Sequence, residues 1–371
     1  MNSFGDFLGN DSTVHHLRTA IAAGRLPHSL ILAGPKGSGK YTLALMLAQA
    51  VNCEKQPRET SADGSVLAGF CGVCSNCVRI AESFDLQARI DEAVEAREAL
   101  REVDKKETRI LVQTHPDVLV LPPDPPQLLI KLGQVRSLTE SIYYRPGEGE
   151  RKVYIFTSTA FMKEAANALL KVLEEPPAYA HIFILAENPG ELLPTIRSRC
   201  GVVRLGAVPA AEIESILAQR RPEWKPAQRA LVARLAQGGI GRAIGFDLAA
   251  YLTGRTDALI FIQNAVNDPD HTALFKVTET YRAGADGALK TTALLRALSS
   301  LLEDILLLQS GAGTLIRNVD IAQQMEQLAA SLSFGWVEGA SRALDQVESG
   351  MRRNLLRSLS LDALAAQLAA R

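Results

Sequence analysis

Two rhythms of apolar residues alternate through the first two hundred positions. Strand-like runs stand at Leu30-Ile31-Leu32, Val118 to Leu121, Lys152 to Phe156, His181 to Ala186 and Val202 to Leu205, and the stretches between them carry apolar residues at helical spacing. Such alternation predicts a parallel sheet covered by helices on both faces. Pro122-Pro123-Asp124-Pro125-Pro126 and Arg145-Pro146-Gly147-Glu148-Gly149 read as connecting loops. Ahead of the first run, Phe7, Leu8, Val14, Leu17, Ile21 and Ala22 follow one helix face, with Asp11 or Ser12 placed to cap it.

From Ala207 to about Leu248 the pattern is helical and punctuated by Pro209, Pro222 and Pro226, which suits a small helical lid. From Tyr251 onward helical stripes dominate, clearest in Leu294, Leu298, Leu301, Leu302, Ile305 and Leu306, and again in Leu355, Leu356, Leu359, Leu361, Leu364 and Leu368. Trp336 is expected in that core. Residues 82–109 differ from both regions. They are dense in charge, yet Leu86, Ile90, Val94, Leu100 and Val103 keep near-helical spacing, and Asp85 with Arg89 and Glu102 with Lys106 have the favourable i,i+4 order. A solvated helix or helical hairpin is expected there.

With 371 residues the chain is long enough for two to three domains, and a hydrophobic content of 47% supports a large core. The low aromatic share, 5%, leans towards Leu- and Ala-rich helices. A formal net charge of −1 offers no global basic field, so contact with nucleic acid would need a local patch or a partner. No stretch is apolar enough to span a bilayer, and Met1 to Asp6 lacks the charged and apolar regions of a signal peptide. A cytoplasmic chain is expected.

Candidate chemistry begins where the first strand breaks. Gly34-Pro35-Lys36-Gly37-Ser38-Gly39-Lys40-Tyr41-Thr42 satisfies G-x-x-x-x-G-K through Gly34, Gly39 and Lys40, between a strand and a helix. Glycines let backbone N–H groups converge on phosphate oxygens, and the lysine supplies charge. The following position departs from the pattern. A P-loop needs a Ser or Thr hydroxyl there for Mg²⁺, and the Tyr41 hydroxyl stands too far out on its ring; Thr42 is one residue late, about 100° round the helix. Two readings stay open: a nucleotide-binding loop with impaired metal chemistry, or a strand–turn–helix that kept its shape without its ligand. The strand Lys152 to Phe156 should end in carboxylates to serve the metal, but Thr157-Ser158-Thr159-Ala160 follows. With both handles missing, hydrolysis by this chain is not expected and Mg²⁺ is not expected to be well held.

Cys53, Cys71, Cys74 and Cys77 form a C-x17-C-x2-C-x2-C cluster. Four thiolates at such spacing suit a tetrahedral zinc site with no open position, hence a structural one; buried free cysteines are the alternative.

Asn167-Ala168-Leu169-Leu170-Lys171-Val172-Leu173-Glu174-Glu175-Pro176-Pro177 and Leu192-Leu193-Pro194-Thr195-Ile196-Arg197-Ser198-Arg199-Cys200 closely resemble the clamp-loader AAA+ subunits of bacterial DNA polymerase III. Gly24-Arg25-Leu26-Pro27-His28, the cysteine insert and His115-Pro116-Asp117 fit as well, and the resemblance covers roughly residues 1–245. It implies an α/β AAA+ P-loop domain over 1–206, containing the cysteine module and the charged insert, a helical lid over 207–249, and a helical oligomerisation collar over 250–371. Because this chain departs at Tyr41 and at Thr157-Ser158, it is similar to the family's non-hydrolysing member.

The resemblance also assigns roles. Arg199 would be an arginine finger acting on the ATP of a neighbouring motor subunit, with Arg197 its nearest rival; judged without the family, Arg199 is a surface arginine paired with a local carboxylate. Asn188 would stand where a polar residue senses the γ-phosphate, or would simply be a turn residue before Pro189. Arg242, after Gly238-Gly239-Ile240-Gly241, would face nucleotide or cap a helix. Gly34, Gly37, Gly39, Lys40, Tyr41 and Thr42 would surround ATP, ADP or phosphate if any is bound. The implied partners are motor ATPase subunits, the delta subunit, the sliding clamp and primer-template DNA. A working motor-type ATPase with unusual metal ligation is the main alternative, and a free nucleotide-binding switch a third.

Overall fold

In the computed structural model the described residues are 3–267, 284–352, 363–364 and 367–368. They divide into two compact units: residues 1–208 with 238–241, and residues 209–237 with 242–371.

In the first unit a short 3-10 turn, Phe4–Asp6, precedes α1 (Asp11–Ala22). Neither Asp11 nor Ser12 caps α1. Asn10 is the N-cap, in a left-handed conformation (φ 58°), and its side chain instead exchanges two hydrogen bonds with the backbone of Gly206. Then follow β1 (Ser29–Ala33), α2 (Lys40–Asn52), a hairpin of β2 (Arg58–Thr60) and β3 (Val66–Ala68), and α3 (Ser75–Ala81). The charged insert forms α4 (Leu86–Glu98) and α5 (Glu102–Glu107). The sheet resumes with β4 (Val112–His115), β5 (Val118–Leu121), α6 (Leu132–Ser141), β6 (Lys152–Phe156), α7 (Lys163–Glu174), β7 (Ala180–Ala186), α8 (Pro194–Arg197) and β8 (Gly201–Arg204).

The six-stranded sheet has the order β4-β5-β6-β7-β1-β8, and its five inner pairings include four parallel ones, β5/β6, β6/β7, β7/β1 and β1/β8. The five strands that the sequence predicts pair in parallel, as expected, and a sixth that it does not predict, β4, runs antiparallel to β5. The cause is local: only Pro116 and Asp117 separate the two strands, and so short a connection can only reverse the chain. The β2/β3 hairpin was also not predicted, because its three-residue strands are too short to carry a period.

Central strands β1, β6 and β7 are buried along their whole length, which is why they read as continuous runs. Their side chains alternate between two cores. Leu30, Leu32, Val153, Ile155, Phe183 and Leu185 meet α1, α2 and α3 on one face. Ile31, Ala33, Tyr154, Phe156, Ile182 and Ile184 meet α6 and α7 on the other.

The insert is solvated, with no fully buried residue in α4, but it is pinned at both ends. Leu86 and Ile90 lean on the first core. At the far end Arg97 donates to the fully buried Asp124 carboxylate at 2.6 Å, with Lys131 Nζ 3.6 Å from the same oxygen. Asp85 caps α4 by accepting from Ala88 N–H, so Arg89 pairs with Glu92; separately, Lys105 pairs with Glu102. Satisfying an orphan helix donor outweighs an exposed ion pair.

The second unit is helical: α9 (Ala210–Arg220), α10 (Pro226–Leu235), α11 (Ile240–Ile244, which begins in the first unit), α12 (Leu248–Asn267), α13 (Gly284–Gln309), α14 (Ala322–Ser331) and α15 (Phe334–Arg352). Leu294, Leu298, Leu301, Leu302 and Ile305 form the buried stripe of α13, and Trp336 is buried as expected. Leu364 and Leu368 are buried too, whereas Leu355, Leu356, Leu359 and Leu361 lie outside the described residues. One polar knot holds the helices in register. Asp304 accepts from Arg317 N–H, Asn318 N–H and the Asn318 amide, while Arg255 grips Asp320 through two hydrogen bonds.

Candidate functional site

The P-loop leaves β1 beside β7, where the sheet's connections diverge and α/β proteins place ligands. A cavity of about 580 Å³ opens there. Gly37, Gly39, Lys40, Tyr41 and Thr42 form its floor, Thr157, Ser158 and Thr159 its far side, and Leu86 of the insert part of its rim. Gly39 has φ 84°, and a Cβ on it would stand 2.7 Å from the Phe7 ring, so this position needs glycine twice over. Phe7, read as part of a helix, instead sits in the extended segment before α1 and braces the loop.

Lys40 Nζ donates to Gly34 O at 2.6 Å and Pro35 O at 2.8 Å. Burial lowers its pKa below the usual lysine range, opposed by the charges of Glu187 and Glu191. These two carboxylates line the cavity and are not among the site residues that the sequence points to. Both follow β7, the strand next to β6, and only the strand order brings them opposite Lys40. Glu191 accepts from Thr159 Oγ1 at 2.7 Å and from Asn188 N–H at 3.0 Å.

Tyr41 is turned to another task. Its ring packs on the first core and its hydroxyl donates to Ser83 O at 2.6 Å, which ties the start of α2 to the segment after α3. Burial pushes its phenol well above the usual tyrosine range, so it stays neutral. Asn188 caps the 3-10 turn Pro189–Glu191 by accepting from Gly190 N–H at 2.8 Å, the turn role. Arg242 donates to Gln237 Oε1 at 3.0 Å. Gly241, the residue before Arg242, touches the P-loop: its N–H donates to Gly37 O at 2.9 Å.

Arg199 stands beyond α8 and donates to Glu174 Oε1 at 2.6 Å and to Thr195 O at 2.8 Å. This is the local pairing that an ordinary surface arginine would also make. Arg197 is exposed.

The four cysteines converge as their spacing implied. Their sulfurs all lie within 4.8 Å of one another and none is in a disulfide. Tetrahedral zinc with Zn–S near 2.3 Å needs sulfurs about 3.8 Å apart, so the donor set fits a structural metal. Cys53 Sγ accepts from Cys71 N–H and Cys71 Sγ from Cys74 N–H, bonds that favour thiolate. Burial pushes the Cys71 thiol up, but donors from Val73, Cys74 and the neighbouring thiols outweigh it and bring the pKa to about 7.

His115-Pro116-Asp117 links this module to the loop before β6. Asn76 on α3 donates to Asn52 O, and His115 Nε2 donates to Asn76 Oδ1 at 3.0 Å, which leaves Nδ1 to accept from Asp117 N–H at 3.1 Å. Asp117, buried, accepts from the N–H groups of Gly147, Glu148 and Gly149 at 2.8, 2.9 and 2.7 Å. Arg79 pairs with Glu148 from the same α3.

Fold and site together define a P-loop α/β module with a four-cysteine insert and a cavity that Glu187 and Glu191 line. The family described as DNA polymerase III, delta subunit, matches residues 9–209, more than half of the chain, and the chain belongs to that family. It is the clamp-loader family whose motifs the sequence resembles. The chain is 26% identical to the tau subunit of DNA polymerase III from Salmonella typhimurium over 352 residues, which cover 90% of this chain and 48% of that protein. It is 28% identical to the delta' subunit from Escherichia coli over 314 residues (84% and 79%), and 32% identical to delta' from Pseudomonas aeruginosa over 174 residues (47% and 41%). The chain thus spans about half the length, or less, of the tau proteins it matches. Among the described residues no helix is long and apolar enough to cross a membrane.

Proposed function

We propose that this chain is a delta'-type clamp-loader subunit: it assembles with ATPase subunits of DNA polymerase III, does not hydrolyse ATP itself, and donates Arg199 in trans during sliding-clamp loading on primer-template DNA. The observation that carries this reading is the state of Tyr41. A hydroxyl bonded at 2.6 Å to Ser83 O, on a ring packed in the core, is unavailable to a metal beside the phosphate-binding turn. Thr157, Ser158 and Thr159 supply no carboxylate at the end of β6. A fixed guanidinium presented to the γ-phosphate of a neighbour is what remains for this subunit to contribute. Zinc in the cysteine module serves structure, holding α3 against the P-loop helix.

The second reading is a motor-type ATPase. Glu187 and Glu191 in the cavity favour it, as does the long match to tau. One experiment separates the two. The isolated chain should show no Mg²⁺-dependent ATP hydrolysis, while the complex with motor subunits should lose most of its ATPase on Arg199→Ala with assembly unchanged. Turnover by the isolated chain that vanishes in Lys40→Ala would establish the motor reading instead.

A further inference from the structure

We propose that Glu174 is the positioning residue for Arg199, an inference that rests on the trans-acting role given to that arginine above. Glu174 is the last residue of α7 and Arg199 lies just beyond α8, so their ion pair joins two elements that are separate in the chain. Two anchors grip different nitrogens of one planar group: Glu174 Oε1 accepts from Nη2 at 2.6 Å, and Thr195 O accepts from Nη1 at 2.8 Å, with Ser198 Oγ 3.4 Å from the same Nη1. The guanidinium has five donors in a rigid fork. Nε–H and the second Nη2 hydrogen have no partner among the described residues, and they are the donors left for a phosphate.

The grip matters because electrostatic stabilisation of a transition state works through groups already oriented before the charge develops. An arginine on a free stem would have to lose its rotamer freedom during the reaction; one clamped at Nη1 and Nη2 has lost it beforehand. Exposure suits the role as well. The side chains are 33% and 50% exposed, so the pair is screened and can share its guanidinium with an incoming triphosphate, which a buried pair could not do without a large desolvation cost. Glu175, the next residue, has left the helix and makes no such contact in the described structure.

The test uses the full chain assembled with its motor subunits, in five forms: wild type, Arg199→Ala, Glu174→Ala, Glu174→Gln and the double variant Glu174→Ala/Arg199→Ala. Assembly is checked by sedimentation, and kcat and KM for ATP are measured separately. Glu174→Ala should lower kcat about two- to five-fold, the range of an exposed ion pair, with KM within about a factor of two. Glu174→Gln keeps an oxygen for Nη2 and should recover part of the loss. In the Arg199→Ala background the Glu174 change should add nothing. A normal or raised kcat in Glu174→Ala, or an additive loss in the double variant, overturns the positioning role while the finger stands. No effect of Arg199→Ala overturns the finger and the positioning role with it. Should Glu174→Ala fail to assemble, Glu174→Gln decides: kcat equal to wild type counts against the proposal and a kcat-only loss supports it.

Discussion

Asp117→Asn should free the loop 145–149 from the body of the first unit. In the wild type one buried carboxylate accepts from three successive backbone amides, those of Gly147, Glu148 and Gly149, at 2.7 to 2.9 Å. A hydrogen bond to a charged acceptor contributes about 1.5–3 kcal/mol. Three such bonds share one charge and are not additive, so the whole cradle is worth about 3–5 kcal/mol rather than the simple sum. Asparagine keeps one acceptor, which turns to serve Glu148 and Gly149 without the negative charge, and its NH2 then faces the Gly147 amide as donor against donor. Losing about 3 kcal/mol locally corresponds to amide exchange faster by about a hundred-fold or more. Hydrogen exchange read by mass spectrometry on peptides spanning 144–151 measures this directly, and peptides from α13 in the other unit provide the control. Exchange at 147–149 within about three-fold of wild type would show that the carboxylate does not organise the loop.

Other outcomes follow from single contacts. His181 is buried, with its pKa brought down to about 4 mainly by burial and further by His28 and Arg151, against the bond from Nδ1 to Pro27 O. The neutral form is the folded form, so its contribution is complete above about pH 6.5 and is lost as pH falls from there towards 4, reaching roughly 2 kcal/mol at pH 5. Urea unfolding at pH 7.5 and pH 5 should show that increment in the wild type and lose it in His181→Gln; equal pH dependence would rule it out. Metal analysis should find about one zinc per chain, and Cys74→Ser should release it and speed exchange in α3, whereas a metal-free wild type would leave the cysteines as buried thiols. Tyr41→Phe should cost about 0.5–1.5 kcal/mol by removing the bond to Ser83 O without conferring ATP hydrolysis, checked by urea titration and phosphate release. Arg255→Met strands the Asp320 carboxylate and should destabilise the helical unit by about 3 kcal/mol, visible in the fluorescence of Trp224 and Trp336.

Periodicity and composition determined much of this protein without help. The runs at β1, β6 and β7 are continuous because both faces of those strands are buried, so each announces its own place at the centre of a covered sheet. The P-loop and the cysteine cluster are equally local: glycine at a left-handed turn and thiols spaced two residues apart carry their geometry in the chain. Substitution at Tyr41 was legible for the same reason. What no local pattern could give was adjacency between distant segments. Glu187 and Glu191 became cavity residues because β7 lies beside β1, and Asp117 became a hub because a two-residue connection turned β4 back along β5. Glu174 meets Arg199 only where the end of α7 comes against α8. Hydrophobic alternation fixes which face of an element is buried; it does not record which other element covers that face, and the polar contacts that decide chemistry belong to that second choice.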